Sequence, residues 1–169
     1  MFSQVMQDGI NEQINNELYS AYYYLAMSAY CQREQFTGCA QWLRVQSQEE
    51  NLHAMKLYDF LLARNGKVKL RAIAEPPQNY ESLTAVFHLA FEHEQEVTQR
   101  IDSLYELAFN EKAFAALVEL EWFISEQVEE EKTAREIVHK FDLVKGDPAS
   151  LLDLDRELGR RSTVPEEPA

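Results

Sequence analysis

Glu50 and His53 stand three residues apart in the run Glu49-Glu50-Asn51-Leu52-His53. On a helix, that spacing lets a carboxylate and an imidazole reach one common point. Other acidic side chains lie where an apolar stripe should run. Glu17 is seven residues from both Ile10 and Tyr24, almost two full turns, with Ile14 and Leu18 beside it. Glu94 lies three residues after Phe91 and three before Val97. Gln127 and Glu130 are three apart, framed by Phe123, Ile124, Val128 and Ala134.

Carboxylates gathered on buried faces are costly. Each isolated charge costs several kcal/mol or takes up a proton. Bound cations remove that cost. Two divalent ions bring four positive charges, and Glu17, Glu50, Glu94 and Glu130 bring four negative ones. Carboxylate oxygens with one imidazole suit iron or manganese and accept zinc, whereas an all-oxygen set leans to magnesium or calcium. Glu50 with one other carboxylate would bridge two such ions closely enough to share dioxygen. Tyr24, almost two turns beyond Glu17, is an oxidisable donor. Glu49, Glu126 and Glu129 each flank a proposed ligand by one residue. This second acidic layer is either a third, weaker metal site that passes ions onward or a solvated face rich in glutamate.

Long helices must carry these positions. The first runs from about Ser3 to Arg33, where Val5, Met6, Ile10, Ile14, Leu18, Tyr22, Leu25 and Ala29 recur at helical steps. Phe36-Thr37-Gly38 interrupts the pattern, with Thr37 as an N-cap. The second runs from about Cys39 to Arg64, with Trp42, Leu43, Leu52, Met55, Leu57, Phe60 and Leu61 as its core, and Asn65-Gly66 stops it. The third spans about Ser82 to Ala108, and the fourth continues from an N-cap at Asn110 to Lys145. Between the second and third, Lys67 to Tyr80 contains Pro76-Pro77 and no helical pattern. Adjacent antiparallel helices need only about 2–8 linking residues. At ~3.3 Å per extended residue this segment can run the whole length of a bundle, so the helices it joins are parallel.

These features specify an all-α fold: a four-helix bundle with one long crossover and helices of ~40–50 Å at 1.5 Å per residue. Asp147-Pro148 opens a short fifth helix over about 148–158, whose Leu151, Leu152, Leu154 and Leu158 must dock on something, another subunit included. Depth along the bundle agrees. Glu17 lies ~20 residues before the first turn and Glu50 ~13 after it; Glu94 lies ~16 before the second turn and Gln127 to Glu130 ~17–20 after it. All four helices can present ligands at mid-height. Residues 1–158 form one domain, and 159–169 are expected to be a loose tail.

Composition excludes much else. The 169 residues are 46% hydrophobic, which supplies a core, and hold only five Gly and five Pro, too few for the turns of a sheet-rich fold. A net charge of −13 repels nucleic acid and anionic lipid and attracts cations. Ala21 to Tyr30, broken by Ser28, is the longest nearly apolar run and falls far short of the ~20 residues of a membrane span. The N-terminus has no signal-peptide pattern, and Cys31 and Cys39 form no disulfide framework or zinc motif. Free thiols in a reducing, cytoplasmic compartment are expected. His88, His93 and His139 lack acidic company at ligand spacing and are assigned structural roles, as is Trp122. Met27 and Met55 are assigned to the core.

Taken in chain order, Glu17, Tyr24, Glu49-Glu50-x-x-His53, Glu94, Gln127 and Glu130 resemble the ferritin family in its non-haem bacterial form. The likeness extends from about Gln4 to Leu158, and the single-crossover bundle is the architecture long described for ferritin-like folds. The resemblance implies an iron-storage protein with ferroxidase activity. Fe²⁺ would enter a hollow homo-oligomeric shell of about 24 subunits and be oxidised to Fe³⁺ by O₂ or H₂O₂ at a di-iron centre. The product would be stored as a ferric mineral. It further implies that Glu17 and His53 hold the first iron, Glu50 bridges, Glu94 and Glu130 hold the second, and Gln127 supplies a hydrogen bond. Glu49, Glu126 and Glu129 match the extra iron site of bacterial members, and Leu151, Leu152 and Leu154 would line a symmetry axis.

Departures narrow the likeness. Bacterioferritins and rubrerythrins carry a second Glu-x-x-His on the fourth helix, where this chain has Gln127-Val128-Glu129-Glu130. Leu52 stands where a bacterioferritin has its haem-ligating Met, so no haem is expected, and a rubrerythrin's Cys-x-x-Cys is missing. Two other functions fit the same bundle: a di-iron peroxidase or oxygenase, and a non-catalytic shell subunit.

Overall fold

A computed structural model describes residues 2–162. Five helices follow in order: α1 (Gln4–Arg33), α2 (Thr37–Ala63), α3 (Leu83–Asn110), α4 (Phe114–Val144) and α5 (Pro148–Leu158). Side chains start three of them. The Ser3 hydroxyl accepts from the Met6 N–H at 3.1 Å, Ser82 does the same for Ala85 at 3.1 Å, and Asp147 accepts from Ser150 at 2.8 Å. Such caps satisfy amides that lack a helical partner.

Two helix starts differ from expectation. Phe36 occupies the N-cap position of α2, and Thr37 is already helical. Asn110 ends α3 rather than capping α4. The cause is a left-handed Lys112 (φ 52°), which closes α3 by turning the Ala113 N–H back onto the Ala108 carbonyl at 2.8 Å. α4 therefore starts three residues later than an Asn110 cap would place it, with Ala113 at the cap. Gln35, Asn65 and Lys145 take the same left-handed geometry after α1, α2 and α4.

α1 packs on α2, α3 on α4, and α1 also on α3. The crossover is tied to α1 at both ends. Near its start, the buried Asn11 amide donates to the Lys67 carbonyl at 2.9 Å and its oxygen accepts from the Lys69 N–H at 2.6 Å. Near its end, Tyr80 meets Tyr30 at 5.1 Å and Arg33 donates to Asn79 at 3.3 Å. The segment thus runs alongside α1 and returns the chain to the other end of the bundle. α2 and α3 are parallel, as the loop length requires.

The apolar interior is divided. One cluster holds Tyr24, Met27, Leu43, Phe87, Phe141 and their neighbours; the other holds Met6, Ile10, Ile14, Leu57, Ile101, Leu120 and theirs. Glu17, Glu50, His53, Glu94, Gln127 and Glu130 are buried, and they belong to neither apolar cluster.

The buried stripe of α1 departs from the apolar pattern after Ile14. It continues through Glu17, Ser20, Tyr24, Met27 and Cys31, while Val5, Tyr22 and Leu25 are exposed in the single chain. Small hydroxyls explain the shift. Ser28 bonds the Ala40 carbonyl at 2.7 Å and Ser47 bonds the Ala21 carbonyl at 2.6 Å, so α1 and α2 approach through polar contacts that an apolar count misses. Leu52 and Val128 are likewise exposed, and Met55 is only half-buried, whereas Met27 is fully enclosed.

α5 lies across one end, against α2 and α4. Leu154 and Leu158 enter the core there, and the Asp155 carboxylate accepts from the Cys39 N–H at 2.8 Å. Of the segment expected to be a loose tail, Gly159 sits against Gly38 and Arg161 is anchored on α2, while residues 163–169 lie outside the described ones. Cys31 and Cys39 are buried free thiols. No helix among the described residues is long and apolar enough to cross a membrane.

Candidate metal centre

Each ligand candidate is delivered by helical phase. Glu17 on α1, Glu50 and His53 on α2, Glu94 on α3 and Glu130 on α4 all fall on the inward faces. Two sets of donor atoms converge. Ligand atoms of Glu17, Glu50 and His53 lie within 4.8 Å of one another, and so do those of His53, Glu126 and Glu130. His53 is common to both. Its Nδ1 stands 3.5 Å from Glu50 Oε2, and the Trp122 ring meets its imidazole edge-on at 5.3 Å. Trp122 is thus a half-buried wall of the site, with Lys56 Nζ over its outer face at 4.8 Å.

Glu94 is held differently. One oxygen accepts the Tyr24 phenol and the other accepts the Gln127 amide at 3.2 Å. Gln127 thereby joins α4 to α3 directly. Tyr24 is wholly buried, and burial with the Glu94 charge pushes its phenol far above the usual range, so it stays protonated.

The electrostatics are those of a cation site. Burial, followed by the Glu50 charge, pushes both Glu17 and Glu94 up to about 8. Glu50 and Glu130 are raised by burial and by neighbouring carboxylates, Glu130 acting on Glu50 and Glu94 on Glu130. Without cations, these groups retain protons at neutral pH. Among the candidate ligand oxygens, Glu17 Oε2 is buried with no hydrogen-bond partner. An orphan carboxylate oxygen, an imidazole within reach and four carboxylates fit a pair of divalent ions of the iron, manganese or zinc type.

Three supporting residues escaped the sequence reading. Gln13 donates to Glu17 Oε1 at 2.7 Å. Gln46 donates to Glu50 Oε1 and to Glu130 Oε2, 3.0 Å each. Thr98 bonds the Glu94 carbonyl at 3.1 Å and Glu131 at 2.6 Å, closing the α3 side. Each stands four residues from a proposed ligand on the same helix, and that spacing was a readable signal.

The second acidic layer is only partly gathered. Glu126 reaches His53 and Glu130. Glu129 is exposed and faces Lys132 at 3.8 Å. Glu49 is bonded to Arg161. The other histidines stand outside the centre. His93 Nε2 lies 2.8 Å from the Ser20 hydroxyl among Tyr19, Tyr23 and Tyr24, and burial pushes it down to about 4, which keeps it neutral. His88 pairs with Asp142 at 2.9 Å, and His139 is exposed.

Comparison with known proteins agrees with this architecture. The model of the ferritin-like domain matches residues 7–144. A bacterial non-heme ferritin of Bacteroides fragilis is 40% identical over 161 residues, covering 95% of this chain and all of that one. One from Staphylococcus aureus is 33% identical over 162 residues, covering 96% of this chain and 98% of the other. Among solved structures, an open-pore ferritin of the archaeon Archaeoglobus fulgidus superposes with a TM-score of 0.95 at 47% identity, covering 96% of this chain and 99% of that one. A closed form engineered from the same ferritin gives 0.96 at 47% identity, covering 97% and 100%.

Proposed function

This chain belongs to the ferritin family, and from that premise we propose that it stores iron and oxidises it at the buried acidic centre. The carrying observation is that buried carboxylates from α1, α2 and α4 gather round His53, as Glu17 with Glu50 and as Glu126 with Glu130, with Glu94 of α3 buried beside them and one oxygen of Glu17 left without a partner. Iron is the substrate. Glu17 and His53 take one Fe²⁺, Glu94 and Glu130 take the other, and Glu50 lies between them as the bridge. Gln13 and Gln46 aim Glu17, Glu50 and Glu130, because an amide donor fixes one oxygen and leaves the other to the ion, whereas Gln127 and Tyr24 hold both oxygens of Glu94, one of which the ion must displace. Binding expels the protons that burial holds on these groups. Each ion then gives one electron to O₂ or H₂O₂. Hard carboxylate oxygens favour Fe³⁺ over Fe²⁺, which assists electron loss. Tyr24, bonded to Glu94, supplies a further oxidisable group.

Glu49, Glu126 and Glu129 make up a third, weaker iron site that takes ions onward to the mineral. The chain works as a cytoplasmic homo-oligomeric shell of about 24 subunits, without haem. One face supports self-association: Tyr22, Leu25, Leu52 and Ile73 line a groove along α1, α2 and the crossover, each more than a third exposed. Such a patch on a single chain marks an interaction surface.

Aerobic addition of Fe²⁺ to the assembled protein, followed by near-ultraviolet absorbance, tests the reading. The parent oxidises iron rapidly and Glu50→Ala only at the background rate; equal rates would overturn it. A shell elutes at several hundred kilodaltons, whereas a small di-iron peroxidase or oxygenase elutes far later.

A further inference from the structure

Arg161 follows α5 and reaches back onto α2. Its Nη1 donates to Gln46 Oε1 at 2.9 Å, its Nη2 bonds Glu49 Oε2, and its guanidinium lies 4.4 Å from the centre of the Trp42 ring. Trp42, Gln46 and Glu49 stand at steps of four and three, on one face of α2. Two contacts aim the arginine there: Asp155 accepts from the Cys39 N–H at 2.8 Å, and Gly159 lies against Gly38. The pair is shielded, with the side chains of Arg161 and Glu49 only 23% and 19% exposed. A guanidinium cannot shed its charge by losing a proton, so only displacement frees the carboxylate.

We infer that Arg161 gates Glu49: it holds the cation position of that carboxylate, and a metal ion binds there only by displacing it. This rests on the reading of Glu49 as part of a third iron site. Gln46 connects the gate to the paired centre, since its amide donates to Glu50 and Glu130 while its oxygen accepts from Arg161. The arginine thereby delays the third site until the paired one has filled. Ions are kept at the centre where oxidation occurs, and Glu49 accepts them only at higher load. The arginine acts on iron through Glu49 and Gln46 and is a positioning residue.

The test is calorimetric titration of Zn²⁺ into the assembled metal-free protein, with zinc positions located by anomalous scattering from crystals. The parent, Arg161→Ala and Arg161→Gln are compared, each with and without Glu49→Gln. Arg160→Ala, an exposed neighbour, removes the same charge without touching Glu49. The two tight sites should persist in all of them. In Arg161→Ala and Arg161→Gln the weak site should tighten roughly three- to thirtyfold, the range for releasing a part-shielded, charge-assisted hydrogen bond. A zinc peak should appear at Glu49, and Glu49→Gln should abolish both effects. An unchanged weak site beside two intact tight sites, or equal tightening in Arg160→Ala, would overturn the gate. Loss of the tight sites in the parent would instead overturn the proposed function and the gate with it.

Discussion

Gln13 donates to Oε1 of Glu17 over 2.7 Å, and Oε2 of the same buried carboxylate is left without a partner. The groups acting on it most strongly are Glu50 and His53, and a second carboxyl offers a hydrogen only when protonated. Once pH rises to about 8 and those protons leave, the metal-free centre is strained electrostatically, and removing a ligand should relieve it. Glu17→Gln is expected to stabilise the metal-free protein by about 1–3 kcal/mol, the cost of an unsatisfied buried polar group. The same variant should lose most of the thermal stabilisation that Zn²⁺ gives the parent. Unfolding curves with and without chelator check both signs.

The carboxyl groups also set a pH dependence. Glu17 and Glu94 move from an ordinary 4.5 up to about 8 in the folded, metal-free protein, through burial first and the Glu50 charge second. Their folded-state affinity for protons exceeds the unfolded one, so the stability they contribute is complete below about 4.5 and is lost as pH rises to about 8. Metal ions compete with those protons and reverse the trend. The gap in melting temperature between zinc-loaded and metal-free protein should widen steadily from acid to pH 8. Calorimetry in buffers of different ionisation enthalpy should show protons released on binding, more of them at lower pH within this window. A constant gap would contradict the linkage.

Tyr24 bonds Glu94 from within the core and has no route to solvent. Tyr24→Phe removes the hydroxyl and keeps the ring. It should cost about 1 kcal/mol or somewhat more in stability, leave zinc stoichiometry unchanged, and slow iron oxidation several-fold. Stopped-flow oxidation beside zinc calorimetry separates an oxidative role from a merely packing one: the second would leave the rate intact.

The buried acidic cluster was legible in the sequence because helical spacing alone brings Glu50 to His53, and because Glu17, Glu94 and Glu130 break otherwise apolar stripes. The crossover was legible from length and its two prolines. What stayed hidden had tertiary causes. Leu18, Tyr22 and Leu25 look like core on α1, yet α1 meets α2 through serine contacts to backbone carbonyls, and Tyr22 and Leu25 are left outside. Asn110 looks like a cap, but the left-handed Lys112 decides the junction. Arg161 meets Glu49 across 112 residues of chain and only because α5 docks, so no local pattern announces it.

That docking rests on a glycine. A Cβ on Gly38 would lie 1.8 Å from the Asp155 carbonyl oxygen and 2.7 Å from its carbon, and both atoms belong to backbone that cannot turn aside. Gly38→Ala must push α5 away from α2, breaking the bond between the Cys39 N–H and the Asp155 carboxylate and carrying Arg161 off Glu49. Overpacking of this kind costs typically 1–3 kcal/mol. Gly9 is the contrast. A Cβ there meets only the tips of Leu107 and Leu104, at 2.9 and 3.0 Å, which can rotate away. Alanine is also the better helix former, so Gly9→Ala should be neutral or mildly stabilising. Hydrogen exchange resolved to α5, measured on both variants, should show faster exchange in Gly38→Ala and no change in Gly9→Ala. Equal protection of α5 in the two would mean that the helix is held by Leu154 and Leu158 alone and that its backbone contact with α2 is dispensable.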